Sequence, residues 1–424
     1  MSANSRTHDN KERNPNVIFI ACILFNLSIG VLYSWSVLAT NMVLPNYEGG
    51  FGWTATQAGI PFTVASIAFA IGLLIGGRIQ DKIGPRLVVT TGALCIGLGL
   101  ILAGFMGNSL IGITLSFGVL SGLGMGFGYG CATPPALKWF HPSRKGFVSG
   151  LIVGGFGLSS MGYAPLTTAL LNNFTIERTF TILGIGIIVI STAIAQLINN
   201  PPTGYTPIIP AKVKAATGAT TVTRSADVPW NEMIKTKRFI LIFIMFLLSS
   251  SVGLMVIGAM SNIAESQVGI TEAGTLAFLV SFLALTNTLG RVAGGMMSDK
   301  IGRVNALYVI FILQAINLVA FLFYQNLPTL MIGIVIVGFC YGTTLSVMPV
   351  ICADQYGLKG FGLNYGILFL AWGLSGIMAP VLGNTIYDTT GSFDTAFIIC
   401  AVLMVCMVFA TFLLKRDIHS RQGV

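Results

Sequence analysis

Charged residues are scarce in this 424-residue chain: Asp, Glu, Lys and Arg make up 9% of it, whereas hydrophobic residues make up 54%. A soluble domain carries about 25% charged residues, so this composition excludes an ordinary water-soluble protein. The three histidines lie outside the apolar stretches, and the seven cysteines show no CxxC spacing. We therefore expect no metal site, no cofactor and no enzymatic acid/base pair.

Apolar stretches of the length that crosses a bilayer, about 20 residues, recur along the chain. Lipid cannot satisfy exposed backbone groups, so these stretches are predicted to be helices. The first set of predicted spans is 17–40, 56–77, 87–106, 110–132, 147–171 and 179–198. The second set is 239–261, 275–297, 304–325, 329–352, 364–386 and 395–414. The predicted fold is all-α and integral to the membrane, with twelve transmembrane helices.

The spans divide into two halves, 17–198 and 239–414, flanked by polar tails, 1–16 and 415–424. A stretch rich in Pro, Thr, Ala and Lys, 199–238, joins the halves as a linker. The first apolar run exceeds the length of a signal peptide and is expected to remain as a span. Alternate glycines at 122–130 resemble part of a nucleotide motif, but without a βαβ pattern they indicate close helix packing.

The basic residues indicate the orientation of the chain. Of the 23 Lys and Arg residues, Arg178 falls in a loop on one side and Arg291 falls inside a span. All the others fall on the side that holds both predicted termini, which places that side in the cytoplasm of a plasma or inner membrane. The net charge of +9 is thus explained by topology, and no nucleic-acid partner is expected. No Asp or Glu falls inside a span.

A motif of the form G-x3-D-K-x-G occurs after the second and the eighth span. The first copy contains Gly77, Asp81, Lys82 and Gly84, followed by Arg86, and the second contains Gly295, Asp299, Lys300, Gly302 and Arg303. Glycine permits close approach or positive φ, aspartate accepts from helix N-termini, and basic residues favour the anionic leaflet. The repeat indicates a duplicated chain, and we predict a conformational latch at each copy.

Two six-helix repeats that both carry this loop motif resemble the major facilitator superfamily across the whole chain. The resemblance implies two halves that rock about a midplane site. Finer similarity lies in Gly30-Val-Leu-Tyr33-Ser-Trp35, Asn287-Thr-Leu-Gly-Arg291 and Asn364-Tyr365-Gly-Ile-Leu-Phe-Leu-Ala-Trp372. These segments resemble the oxalate/formate antiporter and monocarboxylate transporter group, whose substrate-binding arginine matches Arg291.

The chain departs from that group at two positions. Oxalate carriers of the group place a lysine in the eleventh helix, where this chain has Trp372. Animal monocarboxylate transporters place an acid four residues before the arginine, where this chain has Asn287. One buried cation suits a monocarboxylate better than a dicarboxylate, because an unpaired buried charge is costly.

Arg291 is the principal candidate for binding the substrate. A charge at the bilayer centre costs about 2.5–3.5 kcal/mol on insertion scales, so a buried arginine needs a reason. The guanidinium can donate two parallel hydrogen bonds to one carboxylate. Alternatively, Arg291 snorkels to the surface or braces Asp299. Asn287 lies one helical turn earlier, where it binds the same ligand, orients the guanidinium or links two helices.

The remaining candidates are aromatic. Tyr129 and Tyr341 occupy equivalent positions in the two repeats and are predicted to hydrogen-bond the substrate. Trp372 shares a helix face with Tyr365, and both are predicted to line the pocket. Tyr33 and Trp35 cannot both face a cavity from a straight helix, and we favour Tyr33. For all of these side chains the alternative is packing.

The predicted function is secondary active transport of a small monocarboxylate, such as L-lactate or pyruvate, by a monomer in a lipid bilayer. The resemblance implies proton symport. The alternatives are oxalate/formate-type anion exchange and a membrane sensor that does not transport.

Overall fold

The computed structural model describes residues 14–202, 204–207 and 227–421, and over these it contains twelve helices able to cross a membrane and no strand. The first six are α1 (Pro15–Val43), α2 (Thr56–Ile83), α3 (Pro85–Phe105), α4 (Leu110–Trp139), α5 (Pro142–Asn173) and α6 (Ile176–Ala195). The second six are α7 (Lys237–Val268), α8 (Gly274–Ile301), α9 (Arg303–Phe321), α10 (Leu327–Tyr356), α11 (Phe361–Thr390) and α12 (Asp394–Ile418). The predicted fold is confirmed.

The predicted boundaries of the tails, halves and linker stay predictions. Residues 1–13, 203, 208–226 and 422–424 lie outside the described residues, and about half of the linker is among them.

Both copies of the repeated motif end in the same turn. Gly84 has φ 89° and Gly302 has φ 88°, a backbone region that side chains with a β-carbon rarely adopt. Each glycine stands directly between two membrane helices, α2 and α3 in the first half and α8 and α9 in the second. We call the end of the bundle that carries these two turns the linker side.

Three membrane helices are irregular. α1 contains a 3₁₀ segment at Gly30–Ser34, α4 a π segment at Thr114–Ser121, and α11 a π segment at Val381–Thr385. Such interruptions are common at functional sites, because they redirect side chains and leave backbone groups available. The interruption in α1 coincides with the segment that carries Tyr33.

The glycines of α4 allow close helix packing. A β-carbon at Gly122 would lie 2.7 Å from the carbonyl oxygen of Ala65 in α2, and one at Gly124 would lie 2.7 Å from that of Gly92 in α3. A β-carbon at Gly126 would overlap the backbone of α2. These contacts agree with the packing interpretation of the glycine run.

The two motif aspartates bind the opposite half of the protein. Asp81 accepts hydrogen bonds from the backbone N–H groups of Gly362 and Leu363 in α11, at 3.1 and 2.9 Å. Asp299 accepts from those of Gly146 and Phe147 in α5, at 2.9 and 2.8 Å. A carboxylate is favourable at a helix N-terminus, where N–H groups lack partners within the helix. The linker side is therefore closed by two equivalent contacts between the halves.

The first glycine of each motif permits these contacts. A β-carbon at Gly77 would overlap the backbone of Gly362, and one at Gly295 would overlap that of Gly146. The exposed side chains of Lys82, Arg86 and Lys300 form no ion pair among the described residues.

The two contacts differ in their surroundings. Arg303 donates to Asp299 and, through Nε, to Asp354 of α10 at 3.2 Å. Asp354 also pairs with Lys145 of α5 at 2.8 Å. Pro85 occupies the position of Arg303 in the first copy, so it cannot form an equivalent ion pair. Both aspartates therefore cap a helix, and Asp299 in addition belongs to a charge network.

The described end of the linker binds beside the Asp81 contact. The carboxylate of Asp227 accepts from the N–H groups of Leu358 and Lys359, both at 3.0 Å. Val228 donates to the carbonyl oxygen of Tyr356 at 3.0 Å. These bonds hold the loop that precedes α11.

We expect Asp299→Asn to destabilise the closed linker side by about 1.5–3 kcal/mol, because hydrogen bonds to a charged group are lost. Asp81→Asn should cost less, because among the described residues Asp81 has no counterpart of the ion pair that Asp299 forms with Arg303. The measurement is the rate at which a maleimide labels Cys352, which is fully buried near the linker side of α10.

The matched control is Asp417→Asn, which removes a pair with Arg238 inside the second half. Equal labelling of Cys352 in the Asp299 variant and this control would show that the Asp299 network does not hold the halves together.

Candidate functional site

Arg291 lies in α8 on the boundary between the halves, and only 1% of its surface is exposed. Its Nε donates to Oδ1 of Asn287, one turn earlier, at 3.3 Å. Its Nη1 donates to the carbonyl oxygen of Val153 in α5 at 2.6 Å. The predicted proximity of Asn287 to the guanidinium is thus observed, and the guanidinium also reaches the first half.

Glycines on α5 make room for this arginine. A β-carbon at Gly150 would overlap the backbone of Arg291. A β-carbon at Gly157 would lie 3.2 Å from Cζ and 3.3 Å from Nη1 of the arginine, and 2.9 Å from Oγ1 of Thr288. The backbones of α5 and α8 therefore meet closely, and the guanidinium lies against α5 at Gly157, which has no side chain.

The buried charges of the described region are few. Lys145 and Arg291 are its buried charged side chains, and Lys145 pairs with Asp354 on the linker side. The hydrogen bonds that Arg291 makes to Asn287 and Val153 end on neutral oxygens. A guanidinium in a low-dielectric site interacts more strongly with an anion than with a neutral oxygen. The arrangement suits the binding of an anion.

Tyr341 and Trp372 form a bonded pair in the second half. The indole Nε1 of Trp372 donates to the hydroxyl of Tyr341 at 2.9 Å. The ring of Tyr341 lies on Gly253 of α7, where a β-carbon would overlap it. Trp372 also meets Phe69 of α2 edge to face at 5.5 Å, so this pair reaches the first half.

Tyr129 and Tyr365 are almost fully buried, at 3% and 1% exposed. The ring of Tyr365 stacks on Phe361 at 5.6 Å and lies 5.7 Å from the ring of Phe369, which also lies 5.7 Å from the ring of Tyr129. The structure therefore brings Tyr129 and Tyr365 together around Phe369, and separately brings Asn287 to Arg291.

An aromatic cluster adjoins these residues, and of its members only Trp372 was predicted from the sequence to line the pocket. Phe69 of α2 meets Tyr129 at 5.4 Å and Phe369 of α11 at 5.7 Å. Phe156 of α5 meets Tyr129 at 5.1 Å, and Phe369 stacks on Trp372 at 5.0 Å. We call Phe69, Phe156, Phe369 and Trp372 the aromatic wall. The four-residue spacing of Phe361, Tyr365 and Phe369 could have indicated its α11 part.

The prediction for α1 remains open in part. The side chain of Tyr33 lies outside the described residues, so its assignment to the cavity stays a prediction. Trp35 is buried, donates through Nε1 to the carbonyl oxygen of Ala58 at 2.9 Å, and stacks on Phe117 at 4.3 Å. These contacts account for Trp35 as a packing residue.

Comparisons with known proteins agree with this architecture. The family model described as Major Facilitator Superfamily matches residues 24–324 and 255–423. The chain is 28% identical to the oxalate:formate antiporter of Oxalobacter formigenes, over 94% of this chain and 91% of the antiporter. It is 26% identical to monocarboxylate transporter 13 of Rattus norvegicus, over 92% of this chain and 86% of that protein.

Among solved structures, the fucose:proton symporter of Escherichia coli superposes with a TM-score of 0.69. The match covers 95% of this chain and 99% of the symporter at 13% identity, so it supports the fold alone. The fold, the duplicated motif and the family match together establish that this chain belongs to the major facilitator superfamily.

Proposed function

We propose that the protein is a secondary transporter of a small organic monocarboxylate, which it carries by alternating access between its two halves. The observation that carries this proposal is the guanidinium of Arg291, which is buried where α5 of one half meets α8 of the other. A carboxylate bound there contacts both halves, as an alternating-access substrate must.

The neighbouring polar groups suit one carboxylate. Arg291 supplies a planar fork of donors, and Asn287 fixes its orientation through Nε. The phenols of Tyr129 and Tyr365 both lie against Phe369, whose ring is 5.7 Å from each of theirs. These hydroxyls serve as additional donors to the carboxylate or to a hydroxyl on the substrate.

The aromatic wall favours an apolar substituent over a second charge. Phe69 and Phe369 offer no hydrogen-bond donors, and the indole N–H of Trp372 is engaged by Tyr341. A second carboxylate placed against this wall would lose its hydration without a compensating partner. The substrate class is therefore a monocarboxylate with a short apolar or hydroxylated tail, such as L-lactate or pyruvate.

We propose that the linker side faces the cytoplasm, because the basic residues gather there. Proton symport is the proposed coupling, with the proton carried on the substrate or on a water network. Anion exchange is the second candidate, since the chain is 28% identical to an oxalate:formate antiporter over 94% of its length. The working unit is a monomer in the cell membrane.

Purified protein in liposomes should take up labelled L-lactate or pyruvate faster when the outside is more acidic than the inside. The reason is that a proton bound with the substrate adds the pH gradient to the driving force. Uptake whose rate does not depend on the pH gradient, but is increased by formate inside the liposomes, would favour exchange instead. Failure to take up any of lactate, pyruvate, formate or oxalate would contradict a carboxylate carrier.

Replacing Arg291 by Lys or Gln should lower substrate affinity by about 10- to 100-fold, because a charge-assisted hydrogen bond contributes about 1.5–3 kcal/mol. Lysine keeps the charge but loses the planar fork, so Arg291→Lys is expected to be impaired as well. Equilibrium binding to purified protein measures the effect.

The control is Arg178→Gln, at an exposed arginine on the opposite side of the bundle. If the Arg291 variants bind substrate like this control, Arg291 does not belong to the site.

Trp372→Lys should raise oxalate uptake relative to lactate uptake, because it adds a second cation on the aromatic wall. Trp372→Phe also loses the bond to Tyr341 but adds no charge, so it is the matched control. An unchanged oxalate-to-lactate ratio in Trp372→Lys would contradict our account of substrate charge.

A further inference from the structure

The hydrogen bond from Arg291 to the carbonyl of Val153 crosses between the halves of the protein. The two residues belong to α8 and α5, and Nη1 lies 2.6 Å from the carbonyl oxygen. The proposed substrate would bind the same guanidinium. This carbonyl and a substrate carboxylate are therefore ligands of one donor group.

Around this bond, α5 and α8 are in tight contact along the linker-side part of α5. Gly146 accommodates the backbone of Gly295, and Gly150 accommodates that of Arg291. Because the two backbones already touch, the guanidinium can reach the carbonyl only while α5 and α8 stay together. The bond cannot persist once the halves separate at this place.

Gly157 forms the surface on which the guanidinium rests. It follows Val153 by four residues, so its backbone N–H faces the same carbonyl within the helix. Its missing β-carbon leaves the space that Cζ and Nη1 of Arg291 approach. A methyl group at this position would lie 2.9 Å from Oγ1 of Thr288 and 3.2 Å from Cζ of Arg291, so both side chains would have to shift.

We propose that the Val153 carbonyl is a resident ligand of Arg291 which the substrate carboxylate displaces, and that this displacement releases α5 from α8. Gly157 is the positioning residue that keeps the guanidinium between the two ligands. This inference rests on the proposed role of Arg291 in carboxylate binding. A charged carboxylate binds a guanidinium more strongly than a neutral carbonyl does, so the exchange favours the substrate.

Displacement of the Val153 carbonyl couples substrate binding to opening of the linker side. Without substrate, the guanidinium holds α5 and α8 together. The Asp299 network holds the same two helices together nearer to the linker side. With substrate, the tie is replaced by a ligand that can move with α8. The empty protein is therefore held closed on the linker side.

A distance measurement tests the tie. Spin labels at Ile83 and Ile301, the exposed last residues of α2 and α8, report the separation of the halves on the linker side. Cys406 is exposed and Cys95 half-buried, so both are replaced by serine in the labelled protein. The distance distribution is recorded by pulsed electron paramagnetic resonance, with and without L-lactate or pyruvate.

Wild-type protein should give a short distance without substrate and gain a longer one when substrate is added. Arg291→Gln should show the longer distance without any substrate and should not respond to it. A substrate-free Arg291→Gln distribution equal to that of wild type would overturn the tie. This comparison needs no substrate, so it stands even if no carboxylate binds and the proposed function fails.

Gly157→Ala tests the positioning role against Gly154→Ala on the same helix. A β-carbon at Gly154 would lie 3.5 Å or more from its neighbours, which is ordinary contact, so this control should behave like wild type. Gly157→Ala should lose about tenfold or more in substrate affinity and should show the longer distance without substrate. Wild-type affinity together with the short distance in Gly157→Ala would overturn its assignment.

Discussion

A guanidinium buried between two halves of a membrane protein is the constraint on which the rest of this site depends. Removing that charge from water costs several kcal/mol, so every neighbouring group must help to offset the loss. Asn287 accepts a hydrogen bond from Nε of Arg291, and the Val153 carbonyl accepts one from Nη1. Glycines on α5 bring the second helix close enough for this to happen. Packing and electrostatics are thus a single requirement here.

The same requirement accounts for the distribution of charge along the α5 and α8 contact. On the linker side, Asp299 binds the N-terminus of α5 and is joined by Arg303, Lys145 and Asp354. Water can replace these partners when the halves separate, because the groups lie near the surface. Arg291 lies deeper, where water is a poorer substitute. At that depth, a bound carboxylate would take the place that water takes as a hydrogen-bond partner near the surface.

The sequence predicted those features that depend on short spacing. The four-residue step from Asn287 to Arg291 placed the amide beside the guanidinium, and the motif glycines predicted the turns at Gly84 and Gly302. Val153 could not be predicted, because its contribution is a backbone carbonyl that any residue would provide. Phe69 and Phe156 were missed for a different reason: they join the site only through packing, Phe69 against Phe369 of α11 and Phe156 against Phe69 of α2 and Tyr129 of α4. The bond from Trp372 to Tyr341 likewise depends on how α10 and α11 meet.

The absence of an acid from the predicted spans bears on how such a carrier would be coupled. In a site with a permanent acid, a proton could neutralise the arginine's partner and free the empty carrier. Here the ligand that the arginine finds in the other half is the Val153 carbonyl, which does not titrate and which the guanidinium reaches only while α5 and α8 touch. The empty protein therefore keeps its guanidinium satisfied in the closed arrangement and loses that bond on opening. In the proposed mechanism, substrate would lower the cost of opening, because its carboxylate would satisfy the guanidinium in both arrangements. Under the proposed mechanism, coupling follows from which ligand the arginine holds, and a symported proton would travel on the substrate or on a water network.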